Sequence, residues 1–331
     1  MSCTFQITRH SPSCNNYDLG ERTWLIYNKD LDPSITIYGI FQTIHFATRN
    51  KDDFISNTVY VSNLVRTWMT SVLLYGTGLG TDKDKKNNLN ICISPYLKEF
   101  HKHGIKRGNY PLEAKEIVDN FTKFLEQLYS FKMMDKDDFD EMVTKIFGTD
   151  VSMNRDKYKK WFDNLPNIIL KFPLTTSQKN KKTFLEKIVF NHNKDKYEKP
   201  TENSPLTPVI SPSGGNDSFL KNGDLRKFIK NYMDGWIHHL FVDIGFTEFI
   251  HIVTHSNVMK SIFKEYYDID INKEIVDTNC WYFRDTFDKL YDINDKWITD
   301  DKENYEKELH IKKGIEKNKA SKKKNKEIEI F

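Results

Sequence analysis

Arg9 and His10 stand side by side at the end of an apolar run from Phe5 to Ile7, and Ser11, Pro12 and Ser13 follow at once. A strand that ends on a cation and an imidazole before a turn presents two chemically able groups at one sheet edge. Two later segments end in the same way. The β-branched and apolar residues 58–61 lead into Ser62 and, one helical turn on, Arg66. Residues 249–253 lead into Thr254 and His255. Two guanidiniums at one point repel each other unless an anion lies between them, and their forks match phosphate oxygens. An imidazole in the same cage can attack phosphorus and carry a covalent phosphoryl group. Taken singly, each residue has an ordinary explanation: a surface turn for Arg9 and His10, a salt bridge for Arg66, a satisfied core histidine for His255. The shared strand-end placement allows them to converge on one point, where phosphoryl chemistry is open to them.

That placement requires parallel strands with their carboxyl ends on one edge, where open α/β sheets bind ligands. Residues 5–8 read as a strand. Residues 35–48 space Ile37, Ile40, Phe41 and Ile44 as one face of a helix. A strand at 58–61 precedes a helix capped by Ser62 or Asn63, carrying Leu64, Val65, Trp68, Met69, Val72 and Leu73, and stopped by Gly76 and Gly78. Ile91 to Ile93 reads as a further strand. Alternating strands and helices predict an α/β fold: a three-layer sandwich with a mostly parallel central sheet, helices on both faces, and a helical cap insertion. The phosphoryl-handling core is expected at 1–104 and 220–300. The cap is expected at 105–219, with helices around 111–130, 137–147 and 155–163 and then a flexible Pro/Ser/Gly-rich stretch, KPTENSPLTPVISPSGGNDS. A long amphipathic helix at 218–243 and a last strand at 275–283 complete the core. The Lys- and Glu-rich tail, 301–331, reads as frayed helix or disorder.

Length and composition agree. The chain has 331 residues, enough for two domains or one with a large insertion, and 38% hydrophobic with 29% charged residues is globular. A net charge of +3 argues against nucleic acid as the partner. Cys3, Cys14, Cys92 and Cys280 are scattered with no CxxC pair, so neither a zinc site nor a disulfide framework is indicated. With no signal-peptide pattern and no spanning segment, a soluble cytoplasmic protein is expected. His101 and His103 read as rim residues, and His238 and His239 as structural ones.

Five blocks in order resemble the histidine phosphatase (phosphoglycerate mutase-like) superfamily. Its Arg-His-Gly-x-Ser/Thr-x-x-Asn motif stands here as Arg9, His10, Ser11, Pro12, Ser13 and Asn16. Asp32, Ile35, Thr36, Gly39 and Gln42 match its second segment. Ser62, Arg66, Thr67 and Thr70 match the third, Leu97 and Glu99 the fourth, and Thr254 and His255 the fifth. The resemblance implies His10 as nucleophile, Arg9, Arg66, His255, Asn16 and Ser13 around the phosphate, and Glu99 as the acid that protonates the leaving oxygen and then activates water. Glu113 and Glu116, on the next predicted helix, are the other candidates for that acid. It implies no metal and no cofactor, and a small-molecule or protein phosphomonoester as substrate. Ser11 and Ser256 replace the glycines that follow the two histidines. The segment after Asn16 is unlike the mutase form, which favours hydrolysis over phosphoryl shuttling. The acid-phosphatase branch carries His-Asp at the second histidine; here Ser256 and Asn257 follow His255, which favours Glu99. The alternatives are a non-catalytic phospholigand-binding protein of this fold, a phosphoglycerate mutase-type phosphotransferase, and a nucleic-acid-associated protein acting through its basic tail.

Overall fold

A computed structural model of the chain describes residues 5–13, 32, 34–76, 88–93, 97, 99, 114–148, 153–172, 186–190, 250–256, 258–260, 282–286 and 289–292. Eight described strands form one sheet: β1 (Phe5–Arg9), β2 (Thr58–Val61), β3 (Asn88–Ile93), β4 (Asn167–Phe172), β5 (Glu186–Phe190), β6 (Ile250–Thr254), β7 (Tyr282–Thr286) and β8 (Lys289–Asp292). Their spatial order is β5-β4-β3-β2-β6-β1-β7-β8. The inner five, β4, β3, β2, β6 and β1, run parallel, and antiparallel strands close both flanks. The expected α/β fold with a mostly parallel sheet is present. Strand β2 lies inside the sheet and alternates, Val59 and Val61 being buried and Thr58 and Tyr60 less so.

Five described helices accompany the sheet: α1 (Ile37–Arg49), α2 (Val65–Tyr75), α3 (Ala114–Met133), α4 (Lys136–Phe147) and α5 (Arg155–Asp163). Helix α1 starts where Thr36 accepts a hydrogen bond from Gly39 N (2.9 Å). It buries the expected stripe of Ile37, Ile40, Phe41 and Ile44. Helix α2 packs across β2, β3 and β6 and is buried at every position from Val65 to Tyr75. A helix enclosed on all sides must satisfy its hydroxyls internally. Thr70 and Ser71 do so, donating to the Arg66 carbonyl (2.6 Å) and the Thr67 carbonyl (2.9 Å).

The start of α2 differs from expectation. Neither Ser62 nor Asn63 is its N-cap; Leu64 is, and its side chain offers no hydrogen bond. The orphan amides find partners elsewhere: Leu64 N donates to Ser62 Oγ (3.1 Å) and Val65 N to Asp32 Oδ2 (2.8 Å).

The segment 105–219, expected as a mostly helical cap, differs in two respects. Its helices α3, α4 and α5 are where the periodicity places them, but they share the main core. Phe41 of α1 meets Phe131, Phe139 and Tyr158 at 5.3, 5.5 and 5.6 Å between centroids, and Trp68 of α2 meets Phe121 at 5.0 Å. The same segment also supplies β4 and β5 to the sheet. In NIILKF the aliphatic residues are consecutive because a parallel strand inside a sheet is covered on both faces, so no alternation marks it. Of the last strand expected at 275–283, residues 282 and 283 are described and begin β7 (Tyr282–Thr286), and β8 (Lys289–Asp292) follows it. Asn16, His101, His103, Glu113, the helix at 218–243 with His238 and His239, the Pro/Ser/Gly-rich stretch and the tail lie outside the described residues. No described helix is long and apolar enough to cross a membrane.

Candidate active site

Strands β1 and β6 pair in parallel with Arg9 opposite Thr254, and the pairing continues one step further as His10 N donates to the Thr254 carbonyl (3.0 Å). The next residue on each chain is a histidine. Both rings therefore leave the sheet at one level, 5.0 Å apart between centroids and tilted by 59°. Both are buried, His10 at 3% exposure and His255 at 0%.

His10 is held in one tautomer. Its Nδ1 lies 2.7 Å from the Ser11 carbonyl, which can only accept, so the proton is on Nδ1. Nε2 then carries the lone pair and accepts from Arg66 Nε (3.3 Å). Burial first, then the charges of Arg66 and Arg9, hold the His10 pKa well below 6.5, against a smaller raising effect of the Ser11 carbonyl. The ring is neutral at neutral pH, with its basic nitrogen at the guanidinium.

Ser11 takes the position where the resembled motif has glycine, and its side chain is built into α1. Its hydroxyl donates to the Gly39 carbonyl (2.9 Å) and accepts from Thr43 Oγ1 (2.7 Å), while its amide donates to Thr70 Oγ1 (2.9 Å). Gly39 is the complement of this turn. A Cβ on it would stand 2.5 Å from Pro12 O and 2.8 Å from Ser11 Oγ. The serine turn and the glycine of α1 fit only together. Ser13 is buried at 1% and its backbone bridges to Ile35, while Thr36 N donates to Pro12 O (3.1 Å), so the segment after His10 is tied to the start of α1.

Arg66 lies on the first turn of α2, buried at 4%. Asp32 faces it, with Oδ1 3.5 Å from Arg66 Nη1 and Oδ2 on the Val65 amide (2.8 Å). One carboxylate thus caps α2 and balances its arginine. Burial lowers the Arg66 pKa, and Asp32 and then Glu99 oppose that. Arg9, partly buried at the end of β1, is the second cation acting on His10.

His255 and Glu99 complete the group. Thr254 Oγ1 donates to the Leu97 carbonyl (2.8 Å), which fastens the segment carrying Glu99 to the end of β6. Glu99 Oε2 is 3.9 Å from His255 Nδ1, and His255 Nε2 is 2.8 Å from Ser62 Oγ. Glu99 is buried at 9%, whereas Glu116 is exposed on α3.

The fold therefore gathers His10, Arg66, His255 and Glu99, with Arg9 beside them. Asp32 and Ser62 are parts of the same site that sequence reasoning did not include among its site residues. Asp32 lies 34 positions from Arg66, and no local pattern links an acidic residue in a Pro/Ser-containing segment to a helix that starts after the next strand. Ser62 was read as a helix cap, and its bond to His255 spans 193 positions. Among the described residues no group of three or more His, Cys, Asp or Glu side chains could hold a metal ion.

No protein-family model and no curated protein matches the chain. Solved structures similar to it include a phosphoserine phosphatase from Entamoeba histolytica in complex with 3-phosphoglyceric acid, at 12% identity, covering 86% of this chain and 91% of that one, with a TM-score of 0.33. A phosphoglycerate mutase from Bacillus anthracis is similar at 14% identity, covering 88% and 89%, with a TM-score of 0.37. At this level of similarity they carry no weight for what the chain does, and function is read from the residues of the site.

Proposed function

We propose that the protein is a phosphomonoesterase of the histidine phosphatase type, working without a metal through a phosphohistidine at His10. The carrying observation is the His10 ring: neutral, with Nδ1–H on a carbonyl and a basic Nε2 at a buried guanidinium, beside a second buried histidine. A nucleophile needs that lone pair, and a phosphoryl group needs that cationic surround.

In the proposed reaction, Arg9, Arg66 and His255 hold the phosphoryl oxygens, with Ser13 and Asn16 assigned there by the sequence motif. His10 Nε2 forms the N–P bond as the ester P–O bond breaks. Glu99 gives its proton to the departing oxygen. It then takes a proton from water as that water attacks phosphorus, and the N–P bond breaks. Inorganic phosphate leaves, and His10 and Glu99 return to their starting states. Glu99 rather than Glu116 is assigned this role because it is buried within 3.9 Å of His255. The Asp32 carboxylate holds Arg66 and takes no part in proton transfer.

The test is hydrolysis of nitrophenyl phosphate by pure protein, with and without a chelator, and acid-labile labelling of the chain by radioactive substrate. Turnover that survives the chelator, together with label lost in His10→Ala, is expected. Absence of turnover, or label retained by His10→Ala, overturns the proposal. Phosphate-competitive binding without turnover would favour a non-catalytic phospholigand-binding protein.

A further inference from the structure

Away from the His10 cage, α1 and α5 flank an open cavity of about 550 Å³. It lies over the C-terminal half of α1. His45, in its wall, is six residues beyond Gly39 and so about 9 Å further along the helix. Ile44 and Trp161, both buried, form an apolar floor together with Met153. Arg49, Lys157 and Lys160 are exposed at its edge, and Asn164 adds an amide. No carboxylate occurs among the described residues that line it.

Three cations set a positive rim around one concavity, and His45 registers the field. Partial burial first, then Arg49 and Lys157, lower its pKa. An anion would be drawn to that rim, and the floor would remove an apolar body from water. The volume is that of sites for small organic molecules.

We propose that this cavity binds a small organic anion: a phosphate, sulfonate or carboxylate group held by Arg49, Lys157 and Lys160, on an apolar body lying over Ile44, Met153 and Trp161. The site stands independently of the phosphatase reading, because no residue of the His10 cage lines it.

The test is calorimetric titration of the full chain with naphthalenesulfonate, a neutral naphthyl alcohol and inorganic sulfate, each mapped by hydrogen exchange. The sulfonate should bind at about one per chain and protect residues 44–49 and 153–164. The neutral alcohol and sulfate should each bind weaker by roughly tenfold or more, and Arg49→Ala with Lys160→Ala should weaken the sulfonate by a similar factor. No binding, equal binding of the neutral alcohol, binding unchanged in the double variant, or protection confined elsewhere each overturns the proposal. Should the double variant not fold, the exchange map and the neutral probe on wild-type protein decide.

Discussion

His10 and His255 step off adjacent parallel strands at the same register level, 5.0 Å apart between ring centroids, although 245 positions separate them in sequence. Strand pairing alone fixes that distance. A one-residue slip of β1 against β6 would turn one ring to the opposite face of the sheet.

The neutrality of His10 sets a pH dependence. Its folded pKa lies well below 6.5, lowered by burial, then Arg66, then Arg9. A depressed histidine pKa means that the unfolded chain binds the extra proton first as pH falls. The contribution to stability is full above 6.5 and is lost as pH drops from there through the folded value. Wild-type protein should lose stability in that window by up to about 1.4 kcal/mol per pH unit more than His10→Gln. Denaturant melts of both between pH 7 and pH 4 measure the difference, and parallel slopes contradict it. The acid limb of kcat/KM should likewise lie below 6.5.

Gly39 and Ser11 should respond as a pair. Gly39→Ala places a methyl against Pro12 O and Ser11 Oγ, so it should cost about 1–3 kcal/mol and displace the turn that follows His10, lowering activity. Ser11→Gly removes the hydroxyl bonds to Gly39 and Thr43 and should cost about 1 kcal/mol while activity is kept. Chemical denaturation with phosphatase assays checks both. An inactive Ser11→Gly would show that the hydroxyl does more than anchor the turn.

Asp32 should divide into two roles by substitution. Asp32→Asn can still accept from Val65 N but takes the facing carboxylate from the buried Arg66 charge, so it should raise KM and cost on the order of 3 kcal/mol. Asp32→Ala also uncaps α2 and should cost about a further 1 kcal/mol. Arg66→Lys removes the Nε–H that meets His10 and should lower kcat/KM by roughly a hundredfold. Steady-state kinetics beside denaturant melts separate the two, and equal stability of Asn and Ala variants would rule out the capping role.

Cys92 lies in β3, buried at 2%, and burial pushes its thiol up to about 12, against a lowering effect of Lys171. Thiolate is the reactive form, so iodoacetamide at pH 8.5 should leave Cys92 unmodified in native protein and alkylate it on unfolding. Peptide mass spectrometry before and after denaturant reads this directly. Rapid native labelling would contradict the burial.

The sequence by itself determined much of the frame. Helical spacing of Ile37, Ile40, Phe41 and Ile44 and the β-branched run at 58–61 mark their elements because each pattern lies within one turn or one strand of itself. The strand-end positions of Arg9, His10, Arg66 and His255 were legible for the same reason. Tertiary structure decided what local patterns do not encode. It set β4 beside β3, because a doubly covered strand has no alternation to announce it. It joined helices α3 to α5 to the main core through Phe41 and Trp68. It turned the Ser11 hydroxyl into α1, where only Gly39 leaves room. It brought Asp32 to Arg66 and Ser62 to His255, bonds whose partners meet only once the sheet has formed. Residue types carry the chemistry, while the register of parallel strands and the packing of α2 bring those types within reach of each other.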